Sequence, residues 1–516
     1  MHISPFYLVA TLSLGLSALG KKTKNFVCSN RASEQCLIAK HIPYKVPCDS
    51  DYKEYSLTHN LRLPIKPAAI VLPKDSNQVS AAVICAGRSG VKVQAKSGGP
   101  RTDSYGSYSS GGIDGQVMID LRNFNKTVLS TDGTNIAKVG GGVRLGPMAS
   151  AVYEQGNRAI SHGICPSVGI GGHSTHGGWG YTSRAWGLTL DHIVSMDVVL
   201  ANGTVTRASP TQHPDLYWAM RGAADSIGIA TSISLKTHPA PEEVCVFIYE
   251  FPTVAESVQK SVSMLMGIQS YMSNATLVDR RLSLSMQTTG NPDPESGSFT
   301  RGLLIAGVFM GNLSEFTSRI EPELLRQAPD APLTHEVQSY NWINSLRRQS
   351  PDGTLDGKPE SLDFFGNSVT INSPGLTEEA VTNYFTYLLT GPAPPVSFEA
   401  SMELWGGADS QINLAAKNTS FAAFPHRSVF WTAHNRAGAS PDAPFPEEGI
   451  TFLNGLRQAI IDGLHAPTAA YPNLLDTSLT REEAHKLYYG DEVLARLQRI
   501  KAAYDPRNLF WNPQSI

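Results

Sequence analysis

The apolar positions of the first half come in short runs set apart by turn residues. Residues 68–72 (AAIVL) and 91–95 (VKVQA) read as strands. Between them, 75–87 opens on Asp, Ser and Asn and then carries apolar residues at helical spacing. Short oxygen-bearing side chains satisfy the free N–H groups of a first helical turn, so this stretch predicts a helix and the three together a strand–helix–strand unit. Strand-like runs follow at 117–121, 136–139, 193–200 and 204–207, separated by glycine-rich turns, with a short helix over 216–221. After Pro239 the pattern changes to alternating segments at 244–249, 282–287 and 303–310, interleaved with helices such as 254–266, which predicts a second α+β region. Polar Gly/Pro-rich stretches at 291–298 and 437–448 read as loops on its periphery. Strong helical periodicity over 481–504 stops at Asp505-Pro506, before an extended 510–516. The chain carries neither repeats nor low-complexity tracts.

Composition narrows the class. A chain of 516 residues has room for several domains, and 41% hydrophobic against 17% charged residues is the balance of a folded globular protein. Lys plus Arg total 42 against 45 acidic residues, a net charge of -3, so nothing marks a nucleic-acid partner. The one long apolar run, 6–19, is short for a membrane span and precedes Gly20 and three lysines. We read 1–20 as a cleaved signal peptide and the mature chain as secreted or lumenal, with no membrane partner. Sequons at Asn125, Asn202, Asn274, Asn312 and Asn418 agree with that compartment. So do six cysteines without a C-x-x-C, three of them (28, 36, 48) in a short N-terminal stretch as in a disulfide-tied terminus. A monomer is expected.

Glycines cluster at 98–99, 140–142, 169–172 and 177–178, each beside a strand end. Glycine leaves backbone N–H groups uncovered, as a loop around a pyrophosphate requires; tight turns are the bland alternative. None of the clusters is a G-x-G-x-x-G between strand and helix, which disfavours a Rossmann site. His162, His173 and His176 lie near Cys165, but their spacing fits no common zinc pattern, so no metal is expected. Cys165 itself reads either as a reactive thiol or as a structural one paired elsewhere.

Several motifs now carry a resemblance: Lys96-Ser97-Gly98-Gly99, Asp120-Leu-Arg-Asn123, Gly140-Gly-Gly-Val-Arg-Leu-Gly146, 162–173 (HGICPSVGIGGH), Arg221-Gly-Ala-Ala-Asp-Ser-Ile-Gly228, and Asn512-Pro-Gln-Ser after Tyr504-Asp-Pro. Together they resemble the berberine bridge enzyme-like flavoproteins of the vanillyl-alcohol oxidase superfamily, nearest its fungal oligosaccharide-oxidase and secondary-metabolite branch. The resemblance implies an α+β chain. A two-lobed PCMH-type FAD domain (63–239) would be completed by the C-terminal segment 476–516, and an inserted antiparallel-sheet substrate domain (240–475) would be covered by helices. It implies FAD held by Lys96, Ser97, Gly98, Gly99, Tyr105, Gly169, Gly171, Gly172 and His173, with Gly228 and Ile229 along the flavin and Cys165 bonded to the flavin ring.

Two departures bear on chemistry. Family members read K-S-G-G-H-S-Y, that histidine being the second flavin tether, whereas this chain reads Lys96-Ser-Gly-Gly-Pro100-Arg-Thr-Asp-Ser-Tyr105. The expectation is a flavin tethered through Cys165 alone or held without a covalent bond. The family's Y-x-N-Y-x-D, whose second Tyr takes the substrate proton, becomes Tyr471-Pro-Asn-Leu474-Leu-Asp476. Candidates for acid/base work are then Tyr471, Glu403 and His434, each with a packing role as the bland alternative. The expected activity is an oxidase passing hydride from a small-molecule substrate to FAD and on to molecular oxygen, giving hydrogen peroxide. Loss of the sugar-type base favours a secondary metabolite over an oligosaccharide. A flavin-binding protein without redox activity stands as the alternative from another class.

Overall fold

The computed structural model describes residues 31–98, 113–293, 298–356, 361–414, 421–439 and 444–516. The strand–helix–strand unit of the first half comprises Ala69–Val71, the helix Ser76–Arg88 and Val93–Lys96. The helix starts where the Asp75 side chain accepts the Gln78 N–H, and it buries Val79, Ala82, Val83, Cys85 and Ala86. Val117–Asp120 pairs in parallel between the two strands, and Tyr44–Lys45 adds an antiparallel edge. Cys85 is bonded to Cys36 on the helix Arg31–Ala39, which fastens the N-terminal segment to this sheet. Cys48 is also in a disulfide. Cys165 and Cys245 are not in disulfides; with Cys165 set aside as the flavin ligand that the resemblance implies, five of the six cysteines remain and one thiol is left over.

A second lobe is an antiparallel five-stranded sheet in the order Thr127–Leu129, Ile136–Gly140, Ile229–Lys236, Ile193–Val199, Val205–Ala208. Here the 140–142 glycines have a structural duty. A Cβ on Gly140 would lie 2.1 Å from the Phe124 carbonyl oxygen, and one on Gly142 only 1.9 Å from that of Leu121, so backbone packs on backbone.

The middle of the chain forms a seven-stranded antiparallel sheet in the order Thr334–Tyr340, Val244–Glu250, Phe299–Phe309, Leu282–Pro292, Ser397–Leu404, Val429–Ala439, Asp363–Asn372. Its period-two alternation separates two faces. One face, with Phe247, Leu284, Ile305, Met402 and Ala433, is buried beneath the helices Val258–Ser273, Glu378–Thr390 and Glu447–Leu464. The opposite face carries Ser285, Gln287, Ser401, Glu403, Thr432 and His434, and it looks toward the first half of the chain, where the Tyr181 hydroxyl pairs with Ser285 Oγ at 2.8 Å. The helix expected over 254–266 begins later and runs longer, because the Ser257 cap fixes its start. The presumed loop at 291–298 is partly strand, as is 437–439.

Two side chains tie the parts together. Arg184, wholly buried, donates to the carbonyl oxygens of Leu282, Gly406 (2.8 Å), Ala408 (2.6 Å) and Asp279 (3.3 Å). Lys501 uses all three protons, on Ser226 O (2.6 Å), Phe510 O (2.7 Å) and Asp505 Oδ2 (2.8 Å). It thereby holds the C-terminal tail, where Leu509 O accepts the Val93 N–H (2.9 Å) and Phe510 bridges in parallel to Val93 on the open edge of the parallel sheet. The periodicity of 481–504, which predicts one helix, is realised as two, Arg481–Tyr488 and Gly490–Tyr504; Gly490 at φ +64° makes the break that a Cβ would resist.

Candidate active site

A cleft of about 1650 Å³, open solvent included, lies at the C-terminal ends of the parallel strands and is closed on one side by the tail residues Phe510, Asn512 and Gln514. Lys96 and Ser97 line it where their strand ends; Lys96 Nζ stands 3.3 Å from Asp120 Oδ2. The Ser97 hydroxyl donates to Gly141 O (2.6 Å) and accepts the Gly171 N–H (3.2 Å), which locks this loop to the wall formed by Gly169, Gly171 and Gly172. Gly98 has φ +70°, and a Cβ there would press on Gly169 Cα at 3.3 Å. At Gly172 a Cβ would meet nothing within 4 Å: its surface is open. Gly228 and Ile229 form the facing wall, and a Cβ at Gly228 would strike Val198 at 2.8 Å. Gly99 and Tyr105 lie outside the described residues.

The three histidines of the glycine-rich segment point three ways. The His173 ring is not in the lining; its Nε2 accepts the Gly163 N–H at 3.1 Å, and burial pushes its pKa down to about 3, which leaves it neutral. His162 Nδ1 sits 2.7 Å from Gly163 O, and burial lowers its pKa too. Only His176 enters the cleft, where it meets Asp225. Cys165, half-buried, stands on the turn four residues before Gly169 and is not part of the lining.

Beyond the cleft, the polar sheet face brings two candidates together. His434 Nδ1 lies 3.1 Å from Glu403 Oε1, as diagonal neighbours on paired strands. The other oxygen of Glu403 accepts the Trp405 indole N–H at 3.3 Å. The Trp405 ring stacks on Trp179 at 6.0 Å and meets the Tyr471 ring edge-on at 4.8 Å. Tyr471 is buried elsewhere: its phenolic oxygen accepts from Gly178 N–H (2.8 Å), Trp179 N–H (3.1 Å) and Asn473 Nδ2 (3.0 Å). Burial pushes its pKa up to about 12 against the pull of these donors, so Tyr471 is protonated at neutrality. Leu474, also buried, takes no part in hydrogen bonding through its side chain.

Comparison with known proteins gives this arrangement its relatives. Residues 67–209 match the family model for the FAD binding domain, and residues 470–516 match the one for berberine and berberine-like proteins. The chain is 35% identical to a xylooligosaccharide oxidase of Thermothelomyces thermophilus over 528 residues, covering 100% of this chain and 99% of that protein. The chain belongs to the berberine bridge enzyme-like FAD-linked oxidases. Within this family it is also 31% identical to a chitooligosaccharide oxidase of Gibberella zeae, over 98% of each chain. The solved xylooligosaccharide oxidase from Myceliophthora thermophila C1 in complex with xylobiose superposes with a TM-score of 0.84 at 32% identity, covering 94% of this chain and 99% of that one.

This berberine bridge enzyme-like protein is therefore an FAD enzyme with the PCMH-type α+β fold. The cleft fits the cofactor: glycines press against one another where a Cβ would intrude, while the open face of Gly172 leaves room for a ligand. Among the polar lining residues not assigned to the cofactor from the sequence are His176, Asp225, Asn473 and Asn512. All stood inside or beside quoted motifs, but only contact distances show which side chains face the cleft.

Proposed function

We propose that this protein is a secreted FAD-linked oxidase that acts on a hydroxyl of an oligosaccharide-type substrate, with His434 taking the hydroxyl proton. The carrying observation is the 3.1 Å contact between His434 Nδ1 and Glu403 Oε1 on the polar face of the seven-stranded sheet. A carboxylate beside one ring nitrogen orients the imidazole, as the carboxylate partner of a general base does. Bound FAD supplies the hydride acceptor, and molecular oxygen takes the electrons on to hydrogen peroxide. Ser285, Gln287, Ser401 and Thr432 surround the pair with groups that donate and accept, which suits a hydroxyl-rich ligand. Tyr471, saturated by three donors and protonated, is left to hold the turn 177–179 in place.

Leu474, apolar where the family pattern has a Tyr, favours a second reading: a less polar hydroxylated secondary metabolite. Secretion is supported by the Cys36–Cys85 disulfide and by the exposure of the sequon residues Asn125, Asn202, Asn274 and Asn312.

The test is peroxide release by purified protein offered xylo-, chito- and gluco-oligosaccharides alongside hydroxylated aromatic alcohols. Turnover of a sugar that falls about 10²–10⁴-fold in His434→Gln is the expected outcome. Turnover of the alcohols alone supports the second reading, and a His434→Gln variant at full rate removes His434 from the reaction.

A further inference from the structure

The wall of the FAD cleft holds an ion pair that the substrate reading does not use. His176 Nδ1 lies 3.1 Å from the Gly172 carbonyl oxygen and 3.0 Å from Thr175 Oγ1, and Nε2 lies 3.3 Å from Asp225 Oδ1. The Thr175 hydroxyl gives its own proton to Gly171 O at 2.7 Å. Each partner of the ring therefore only accepts, both ring nitrogens must donate, and an imidazole that donates twice is an imidazolium. Asp225 in turn accepts from Ser226 Oγ (3.2 Å) on one oxygen and from Asn512 Nδ2 (2.6 Å) on the other, a set of donors that stabilises the carboxylate form. The shifts agree in direction. Burial works against the charge on both groups, yet each partner overrides it: His176 is held above its ordinary pKa and Asp225 below.

Both side chains line the cleft, at 14% and 32% exposure. Asp225 has a plain structural use: through Asn512 it fastens the C-terminal tail that closes one side of the cleft. A bare carboxylate there would set negative charge beside a cofactor whose pyrophosphate is itself anionic. We propose that His176 is a cofactor-positioning residue whose imidazolium cancels the Asp225 charge, so that Asp225 locks the tail over the FAD cleft without repelling the cofactor. This rests on the FAD assignment and is independent of the substrate. The other charged or titratable groups facing the pair among the described residues are Lys501, bonded to Ser226 O, and the tail side chains His485 and Tyr489; Lys96 lies in the same cleft, beside Asp120.

The sign follows from the shifts. His176 contributes stability that is full below its unfolded pKa and is lost as pH rises through its higher folded value. Asp225 contributes stability that is present above the ordinary carboxylate pKa and is lost as pH falls through its lower folded value.

The experiment measures the midpoint potential of the bound flavin, and the melting temperature of the holoprotein, against pH in the wild type, His176→Gln, Asp225→Asn and the double variant. Reduction adds negative charge, so an uncompensated Asp225 is expected to lower the potential and the melting temperature of His176→Gln, and adding Asp225→Asn is expected to return the potential to the wild-type value. A His176→Gln potential equal to wild type on both sides of neutrality overturns the proposal. So does a double variant as low as the single one, since that would mark packing rather than charge. Should His176→Gln fail to fold, the wild type still decides: its potential must fall away as His176 deprotonates, in a step that Asp225→Asn lacks, and identical profiles overturn the assignment. Protein purified without any flavin would count against the FAD assignment instead.

Discussion

Tyr471 and His434 show how environment, not residue type, allots chemistry. Both were legible as acid/base candidates, yet three donors converge on the Tyr471 oxygen while His434 is set beside the Glu403 carboxylate. Tyr471→Phe leaves two backbone N–H groups without their acceptor, a loss of about 1–3 kcal/mol per buried group. The variant is expected to melt lower and turn over more slowly, while the pH dependence of kcat/KM keeps its wild-type shape. A pH limb that vanishes with the hydroxyl would show Tyr471 to be the base after all. Cys165, four residues before Gly169 and outside the cleft lining, is the residue that the family resemblance makes the single tether expected for the flavin. Denatured wild-type protein should then keep its yellow colour, and Cys165→Ala should release it; colour freed from both would exclude a tether at this residue.

At the scale of elements, the sequence was readable where burial is one-sided or complete. The run 117–121 and the alternation over 282–287 appear as the strands Val117–Asp120 and Leu282–Pro292 because a strand in apolar surroundings on both sides needs continuous apolar residues, and one with an apolar and a polar face needs every second. The helix Glu378–Thr390 and the strand Asp363–Asn372 were not read. In the strand, both faces are buried, with Asn367 and Ser368 among the buried residues, so polar side chains sit inside and mask the period. The Cys36–Cys85 bond belongs to this scale as well, since it joins two helices 49 residues apart. Closing a loop of that length constrains the unfolded chain by about 4 kcal/mol. A Cys36→Ser/Cys85→Ser variant is expected to lose roughly 2–4 kcal/mol in denaturant titration, and an unchanged midpoint would mean that packing alone holds the first helix.

For the whole molecule, the deciding feature is that the chain returns on itself. Lys501 draws its charge into a nearly closed site because three oxygens from three places receive it, and burial lowers its pKa against the pull of Asp505. Lys501→Met leaves the Asp505 carboxylate buried without its cation, a loss of about 3–5 kcal/mol. Because the tail also supplies Phe510, Asn512 and Gln514 to the cleft, the same variant is expected to carry less flavin per polypeptide. Full flavin content with a lowered melting temperature would separate the tail's structural role from its role at the cofactor.

The sequence by itself determined the local periods, the glycines that leave backbone bare and, through long motifs, the family. Each depends on residues close together along the chain. Only the tertiary structure decided which candidates meet: Glu403 and His434, 31 residues apart, touch because two strands pair in one register. His176, Asp225 and Asn512 meet across separations of 49 and 287 residues because the tail folds back. A period fixes the face on which a side chain stands, but hydrogen bonds and ion pairs act over a few ångströms, and the neighbour within that reach is set by strand register and chain return.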